Sequence, residues 1–447
     1  MTDARARVQR VCVVGLGKLG ACIAAALASR GFDVVGIDLD PSKVDALRQR
    51  RAPVEEPGLQ EMIERGSSRL QATSDWDEAV AQSDAAFFVP ATPSLQDGSF
   101  SNDFLLQALR AVGGKVASQK KSRYLFVVNS TVTPESCDTG FKPLLEETLN
   151  GRCGEDFGLC YNPEFIALGD VIRGLLEPDF VLIGESDEQS GRLLEDIYRR
   201  FCTNSPPIMR MSNVNAELAK ISVNCFVTMK VSFVNQLTAV AARLPGADAR
   251  VILEAIGQDR RIGAAYLKPG LGYGGPCFPR DNRLFQYVAR VTGAEAALAE
   301  AADKINEQVN QRLFETVRAH ARPGETVAVL GLAYKPNTSV IECSPGVWLC
   351  ERLAQEGWSV LAHDFAAGEA AARALSNGRV RVCSDPQQVF QENCRTFVVT
   401  CPWPAYRDLF AKAGPLLQPG SVVIDPWAFL KESVSQARQV VHVAVLA

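Results

Sequence analysis

The chain has 447 residues, 47% of them apolar, with 47 Lys and Arg against 51 Asp and Glu and a net charge of −4. That length implies two or three domains with ordinary cores, and the acidic balance argues against a nucleic-acid partner. Thirteen cysteines against three histidines read as reduced cytoplasmic thiols rather than a disulfide framework or a metal site, and with no long apolar run and a polar start neither a membrane span nor a signal peptide is expected.

Val11-Cys-Val-Val reads as a strand running into Gly15-Leu16-Gly17-Lys18-Leu19-Gly20, then a helix over 21–30 stopped by Gly31, then a strand over 33–38 ending in Asp38. Strand, GxGxxG, helix, strand and acid, in that order, form a dinucleotide fingerprint. The pyrophosphate is expected on backbone N–H groups at the helix start, and Asp38 on the adenosine ribose, favouring NAD over NADP. Lys43 follows within reach of a phosphate. Further strands are expected over 85–90, 124–130, 159–161 and 180–184, the alternation of a doubly wound sheet. Asn129-Ser130-Thr131 and Tyr161-Asn-Pro-Glu164 close two of them at the carboxyl edge, where ligands bind. For Glu164 the alternative is a surface acid.

Pro206-Pro207 and Arg322-Pro-Gly324 mark expected boundaries, giving domains 1–205 (NAD-binding), 206–321 (helical) and 322–447 (Rossmann-like). A long helix is expected over 212–243, with more helix over 248–257 and 281–320. The last part repeats a βαβ pattern: strands over 326–332 and 359–364 flank a helix capped by Ser344 with Pro345 at its first position, and strands over 396–400 and 421–425 continue the sheet. It lacks GxGxxG, so a plain α/β domain is the alternative. The fold class is therefore α/β, two Rossmann-like doubly wound domains joined by a long central helix and a helical connector.

The chemistry concentrates in two places. Lys268-Pro-Gly-Leu-Gly-Tyr-Gly-Gly-Pro-Cys277-Phe-Pro-Arg-Asp281 places four glycines before a cysteine. The glycines are expected to let a ligand approach closely, and the thiol to feel the positive end of a helix beginning at Pro279. A buried structural cysteine is the alternative. On the long helix, Asn213, Glu217, Lys220 and Asn224 are spaced 4, 3 and 4, one polar stripe. It is either a solvated face or a cleft lining, in which Lys220 stabilises an oxyanion and Asn224 orients a hydroxyl. His320, His363 and His442 lie outside such segments, which leaves the chemistry to Cys, Lys, Asp and Glu. Lys335, ending a strand, is a natural phosphate partner.

These segments, with Glu56-Pro-Gly-Leu59, Asn162-Pro-Glu-Phe165, Asn215-Ala-Glu-Leu-Ala-Lys220, Arg261-Ile-Gly263 and Gly331-Leu-Ala-Tyr-Lys-Pro336, resemble the UDP-glucose/GDP-mannose dehydrogenase family from end to end. The cysteine segment is most similar to its UDP-glucose 6-dehydrogenases. The resemblance implies two NAD-dependent oxidations that turn a primary alcohol of a nucleotide sugar into an acid, UDP-glucose first among candidates. Cys277 is then the nucleophile, carrying a thiohemiacetal and a thioester. Lys220 and Asn224 hold the oxyanion, while Asp281, Thr131 and Glu164 handle protons and water. It also implies cofactor contacts at the glycine turn, Asp38, Lys43, Thr92, Ser130 and Thr131. Substrate contacts are implied at Glu164, Phe165, Lys220, Asn224, Arg261, Tyr266, Lys268, Gly270, Gly274, Tyr334 and Lys335. Arg261 reaches a neighbouring subunit's substrate, so a homodimer or larger assembly is expected.

Five positions depart from the family pattern: Leu168 stands for a glutamate, Ser339 and Val340 for two acids, and Glu342 and Trp427 for arginines. Other nucleotide sugars, GDP-mannose or a UDP-N-acetylhexosamine, therefore remain open. A two-electron hydroxyacid dehydrogenase needs neither Cys277 nor residues 325–440, and a non-enzymatic NAD scaffold would not keep Lys220, Asn224, Cys277 and Asp281 together.

Overall fold

The apolar runs become buried strands. The computed structural model describes residues 7–376, 378–391, 394–413, 417–435 and 441–443, and the chain divides into two compact units, Met1–Ser222 and Val223–Ala447.

In the first unit, β1 (Arg10–Val14), β2 (Asp33–Ile37), β3 (Leu70–Thr73), β4 (Ala85–Phe88), β5 (Tyr124–Val128), β6 (Phe157–Tyr161), β7 (Val181–Glu185) and β8 (Ile208–Ser212) form one sheet in the order β3-β2-β1-β4-β5-β6-β7-β8. All neighbouring pairs are parallel except β6 with β7. The order reverses between β1 and β4, the point at which such sheets bind ligands. Apolar clusters cover both faces, one built around helix Lys18–Ser29, the other around helix Asp103–Ser118.

The second unit holds β9 (Thr326–Leu330), β10 (Ser359–His363), β11 (Val380–Cys383), β12 (Thr396–Val399), β13 (Val422–Ile424) and β14 (Val441–Val443), all parallel, in the order β11-β10-β9-β12-β13-β14. Its helical part comprises Asn213–Ala241, which begins in the first unit, and Ala249–Gly257, Phe278–Thr292 and Ala297–His320. The last of these packs on Pro345–Gln355, β12 and β13.

The expected strands form to within two residues at each end. Four were not foreseen: β3, β8, β11 and β14, and each lies at the edge of its sheet. Edge strands bury less, so Ile208-Met-Arg-Met-Ser212 shows no apolar run to read. One consequence is that Pro206-Pro207 does not end the first sheet, because the chain returns to pair β8 with β7. The stretch 281–320 is two helices, interrupted at Gly293, which caps the first in the left-handed conformation at φ 75°. Among the described residues no helix is long and apolar enough to cross a membrane.

Candidate active site

The N-terminal turn is built from close approaches. Gly15 has φ 94°, beside Val89 and Pro90 after β4. Gly20 packs so tightly that a β-carbon there would overlap the Gly15 carbonyl oxygen. Gly17 differs: it caps helix Lys18–Ser29 without a side-chain bond, and a β-carbon there would meet nothing within 4 Å. Open space over unmade N–H groups at a helix start fits a pyrophosphate, so these residues suit NAD. Leu16 is fully buried under Gly36, while Lys18 and Leu19 are half-buried. Asp38 accepts from Leu16 N at 2.6 Å and Asp40 N at 2.8 Å, with Lys43 Nζ 3.4 Å away. It is thus a clamp on the turn; a carboxylate has further lone pairs for a ribose. Ser130 donates to Pro90 O at 2.5 Å and Thr92 to Thr131 O at 2.7 Å, tying the loops after β4 and β5 together.

The second sheet repeats this construction without the motif. Gly331 follows β9 with φ 108°, a β-carbon on Gly346 would overlap the Gly331 carbonyl oxygen, and Asp364, following β10, accepts from Leu332 N at 2.7 Å and Ala333 N at 2.9 Å. Gly331, Gly346 and Asp364 thus play the parts of Gly15, Gly20 and Asp38, with a longer turn between them. The readable signal was an acid closing the strand after a glycine turn.

Glu164 is not a surface acid. It lies partly buried after β6, and burial pushes its carboxyl up to about 7 against the opposing pull of Tyr198 and Lys220. The Tyr198 hydroxyl lies 2.9 Å from Glu164 Oε1, and Lys220 Nζ donates to the Glu164 carbonyl at 2.8 Å while lying 4.8 Å from the centre of the Phe165 ring. The polar stripe is not solvated either: Asn213, Glu217, Lys220 and Asn224 are all buried. Asn213 bonds Ser186 and Asp138, and Glu217 accepts from Glu135 N and Cys137 N, so these two fasten the helix to the segments that follow β7 and β5.

In the second unit, Cys277 is exposed at the N-cap of helix Phe278–Thr292, with Pro279 in the first turn. Asp281, one turn on, is buried and accepts from Asn224 Nδ2 at 2.6 Å. Arg280, unremarked in the sequence, feels the charges of Asp281, Cys277 and Glu342, and burial lowers its pKa. Beneath the segment, Tyr273 donates to Asp303 at 2.6 Å, and Asn282 donates to both and accepts from Thr228.

Each of the four glycines is approached closely by another part of the chain. A β-carbon on Gly270 would lie 2.9 Å from Trp427 Cδ1, on Gly272 3.0 Å from Asn306 Cγ, on Gly274 3.1 Å from the Cys343 carbonyl carbon, and on Gly275 2.5 Å from the Tyr334 ring. They admit protein against protein, and Gly275 N adds a bond to Glu342 O at 2.9 Å. Trp427 is accordingly a packing residue between two core clusters. Of the remaining expected contacts, Tyr334 and Lys335 are half-buried, Lys268 and Tyr266 are exposed, and Arg261 is exposed and paired with Asp259 at 2.6 Å.

The chain matches the UDP-glucose/GDP-mannose dehydrogenase family in three successive parts: its NAD binding domain over residues 9–202, its central domain over 214–308 and its UDP binding domain over 328–432. It is 36% identical over 361 residues to a UDP-glucose 6-dehydrogenase of Haloferax volcanii, covering 80% of this chain and 83% of that one. A GDP-mannose 6-dehydrogenase of Pseudomonas putida is 33% identical over 359 residues, covering 79% and 80%. The solved UDP-glucose dehydrogenase of Pyrobaculum islandicum superimposes with a TM-score of 0.88 at 33% identity, covering 100% of this chain and 99% of that one. With these matches added to the glycine turn and the two parallel sheets, the chain belongs to the UDP-glucose/GDP-mannose dehydrogenase family and is an NAD-dependent nucleotide-sugar dehydrogenase.

Proposed function

We propose that the substrate is UDP-glucose and the product its uronic acid, formed through a covalent adduct on Cys277. The observation that carries this reading is an exposed thiol at a helix start, one turn from a buried Asp281–Asn224 pair. NAD, held at Gly15–Gly20 and Asp38, supplies the hydride acceptor in both oxidations. The first oxidation removes a hydride from the primary alcohol carbon, and the hydroxyl proton leaves to water. The Cys277 thiolate then adds to the aldehyde carbon: a C–S bond forms, the C=O π bond opens and its oxygen takes a proton from water, which keeps a reactive aldehyde in place. The second oxidation removes a hydride from the thiohemiacetal carbon and releases its hydroxyl proton to water, leaving a thioester. Water adds to the thioester, losing a proton to Glu164, and the thiolate leaves.

Lys220 has three N–H donors and spends one on Glu164 O, leaving others for an oxyanion. Asn224 is held at a fixed orientation by Asp281. Glu164, titrating near neutrality, suits a general base. Thr131 holds the cofactor-side loop, and Phe165, Tyr266, Lys268, Gly270, Gly274, Tyr334 and Lys335 complete the substrate contacts in this reading. A second copy of the chain is part of the proposal, supported by exposed Phe226, Phe233 and Val240, spaced by seven on the long helix. A cytoplasmic setting belongs to the same reading.

The test is NADH formed per sugar consumed across UDP-glucose, GDP-mannose and UDP-N-acetylglucosamine. Two NADH per UDP-glucose, with the other sugars slower, supports the proposal; one NADH per sugar refutes the thioester route, and faster turnover of another sugar refutes the substrate.

A further inference from the structure

Glu164 ends a line of three oxygens. Tyr198, on helix Glu188–Phe201, places its buried hydroxyl 2.5 Å from Asn162 Oδ1 and 2.9 Å from Glu164 Oε1. The Asn162 amide cannot be turned round. Its Nδ2 donates to Leu182 O at 2.8 Å and its Oδ1 accepts from Asn129 Nδ2 at 3.1 Å. When Glu164 is ionised, both outer atoms of the line are acceptors, and the phenol carries a single proton. One proton shared between two acceptors leaves both contacts weak, yet both are of full hydrogen-bond length. A second proton satisfies both, and the carboxyl is the group able to carry it.

We propose that Tyr198 is a positioning residue that holds the proton of Glu164: at rest Glu164 is an acid donating to the phenol, which donates to Asn162, and on ionisation the phenol turns to donate to the carboxylate. The proposal rests on the reading of Glu164 as the base that activates water. When the carboxyl O–H breaks, its proton passes to water in the cavity of about 140 Å³ that Glu164 and Tyr198 line. Asn162 Oδ1 keeps the bond from Asn129, so nothing buried is stranded. No tyrosinate forms, since burial and the Glu164 charge hold the phenol well above its ordinary range.

Three elements face the carboxyl besides its own. Lys220 from the long helix stabilises its charge; Cys202, a buried thiol, feels that charge; and Asp170, Arg173, Glu177 and Asp179 line the same cavity. Burial outweighs these influences and leaves the group near 7, where holding and releasing a proton are balanced.

The test is Tyr198→Phe in the full chain, which removes the phenol both as donor and as acceptor. A bond to the carboxylate is charge-assisted and the bond from the acid is not, so the loss falls harder on the ionised form and the midpoint rises by roughly 0.5–1 pH unit. Infrared difference spectra against Glu164→Gln, or Glu164→Ala as a second reference, read the Glu164 carboxylic C=O band with no substrate present. The acid limb of kcat with UDP-glucose and NAD is the second readout. The expected results are a wild-type band at about pH 6, a higher midpoint in Tyr198→Phe and a kcat limb that moves with it. Absence of the band in the wild type, or a midpoint in Tyr198→Phe at or below the wild-type value, overturns the proposal. The wild-type band decides alone if the variant does not fold or UDP-glucose is not turned over. A midpoint that rises while the kcat limb stays supports the proton store and removes Glu164 from the role of base.

Discussion

Gly17 and Gly20 stand three residues apart in one motif, yet alanine at the two positions should fail in opposite ways. A β-carbon at Gly20 overlaps the Gly15 carbonyl oxygen and lies 3.0 Å from its carbon. Both atoms are backbone in a turn fixed by Asp38 and Ile37, so no side chain can swing aside. The start of helix Lys18–Ser29 must retreat by about 1 Å, and overpacking of that kind costs about 1–3 kcal/mol. For a unit of this size that lowers the first melting transition by about 2–12 °C. At Gly17 a β-carbon meets nothing within 4 Å, and the backbone there, φ −69° and ψ −170°, is open to any residue. Alanine is a slightly poorer N-cap but restricts the unfolded chain, and the two effects nearly cancel, to within about 0.5 kcal/mol. The methyl group instead occupies the side from which a pyrophosphate approaches. Gly17→Ala should therefore melt like the wild type and bind NAD at least tenfold more weakly, a loss of about 1.4 kcal/mol. Differential scanning fluorimetry with and without NAD, and calorimetric titration, separate the two. Equal NAD affinity in Gly17→Ala, or an unchanged melting point in Gly20→Ala, would refute the account of the turn.

Cys277→Ser should abolish acid formation while leaving NAD affinity unchanged, because a serine hydroxyl is far less ionised than a thiol; acid product near the wild-type rate would end the nucleophile assignment. NAD should exceed NADP in kcat/KM, since an acid after the second strand of a dinucleotide fold repels a 2′-phosphate, and Asp38→Ala should also lower stability by about 1.5–3 kcal/mol because Leu16 N and Asp40 N lose a charged acceptor. Parity of the two cofactors contradicts the first part and unchanged melting the second. Glu164 and Glu217 both have folded pKa values raised from 4.5 to about 7. The folded state then binds more protons than the unfolded one between those values, so stability falls as pH rises from about 4.5 to 7. Melting curves across that range should show the decline, and Glu164→Gln should shallow it; a slope of the opposite sign would remove the burial argument.

The central strands, the GxGxxG turn and the residue types at Cys277, Lys220 and Asn224 were legible because they depend on short stretches. An apolar run such as Val11–Val14 must be buried whatever surrounds it, and a glycine turn between strand and helix has few uses. Four edge strands were not legible, since an edge strand is defined by its neighbour and need not be apolar. Nor was the glycine turn of the second sheet, where Gly331, Gly346 and Asp364 are spread too far along the chain to form a motif. The segment before Cys277 shows the division most clearly. Its glycines announce close approach, but only the folded chain reveals that Trp427, Asn306, Cys343 and Tyr334 are what approach. Tyr198 carries no local mark at all. A hydroxyl acquires meaning only when folding brings it between Asn162 and Glu164.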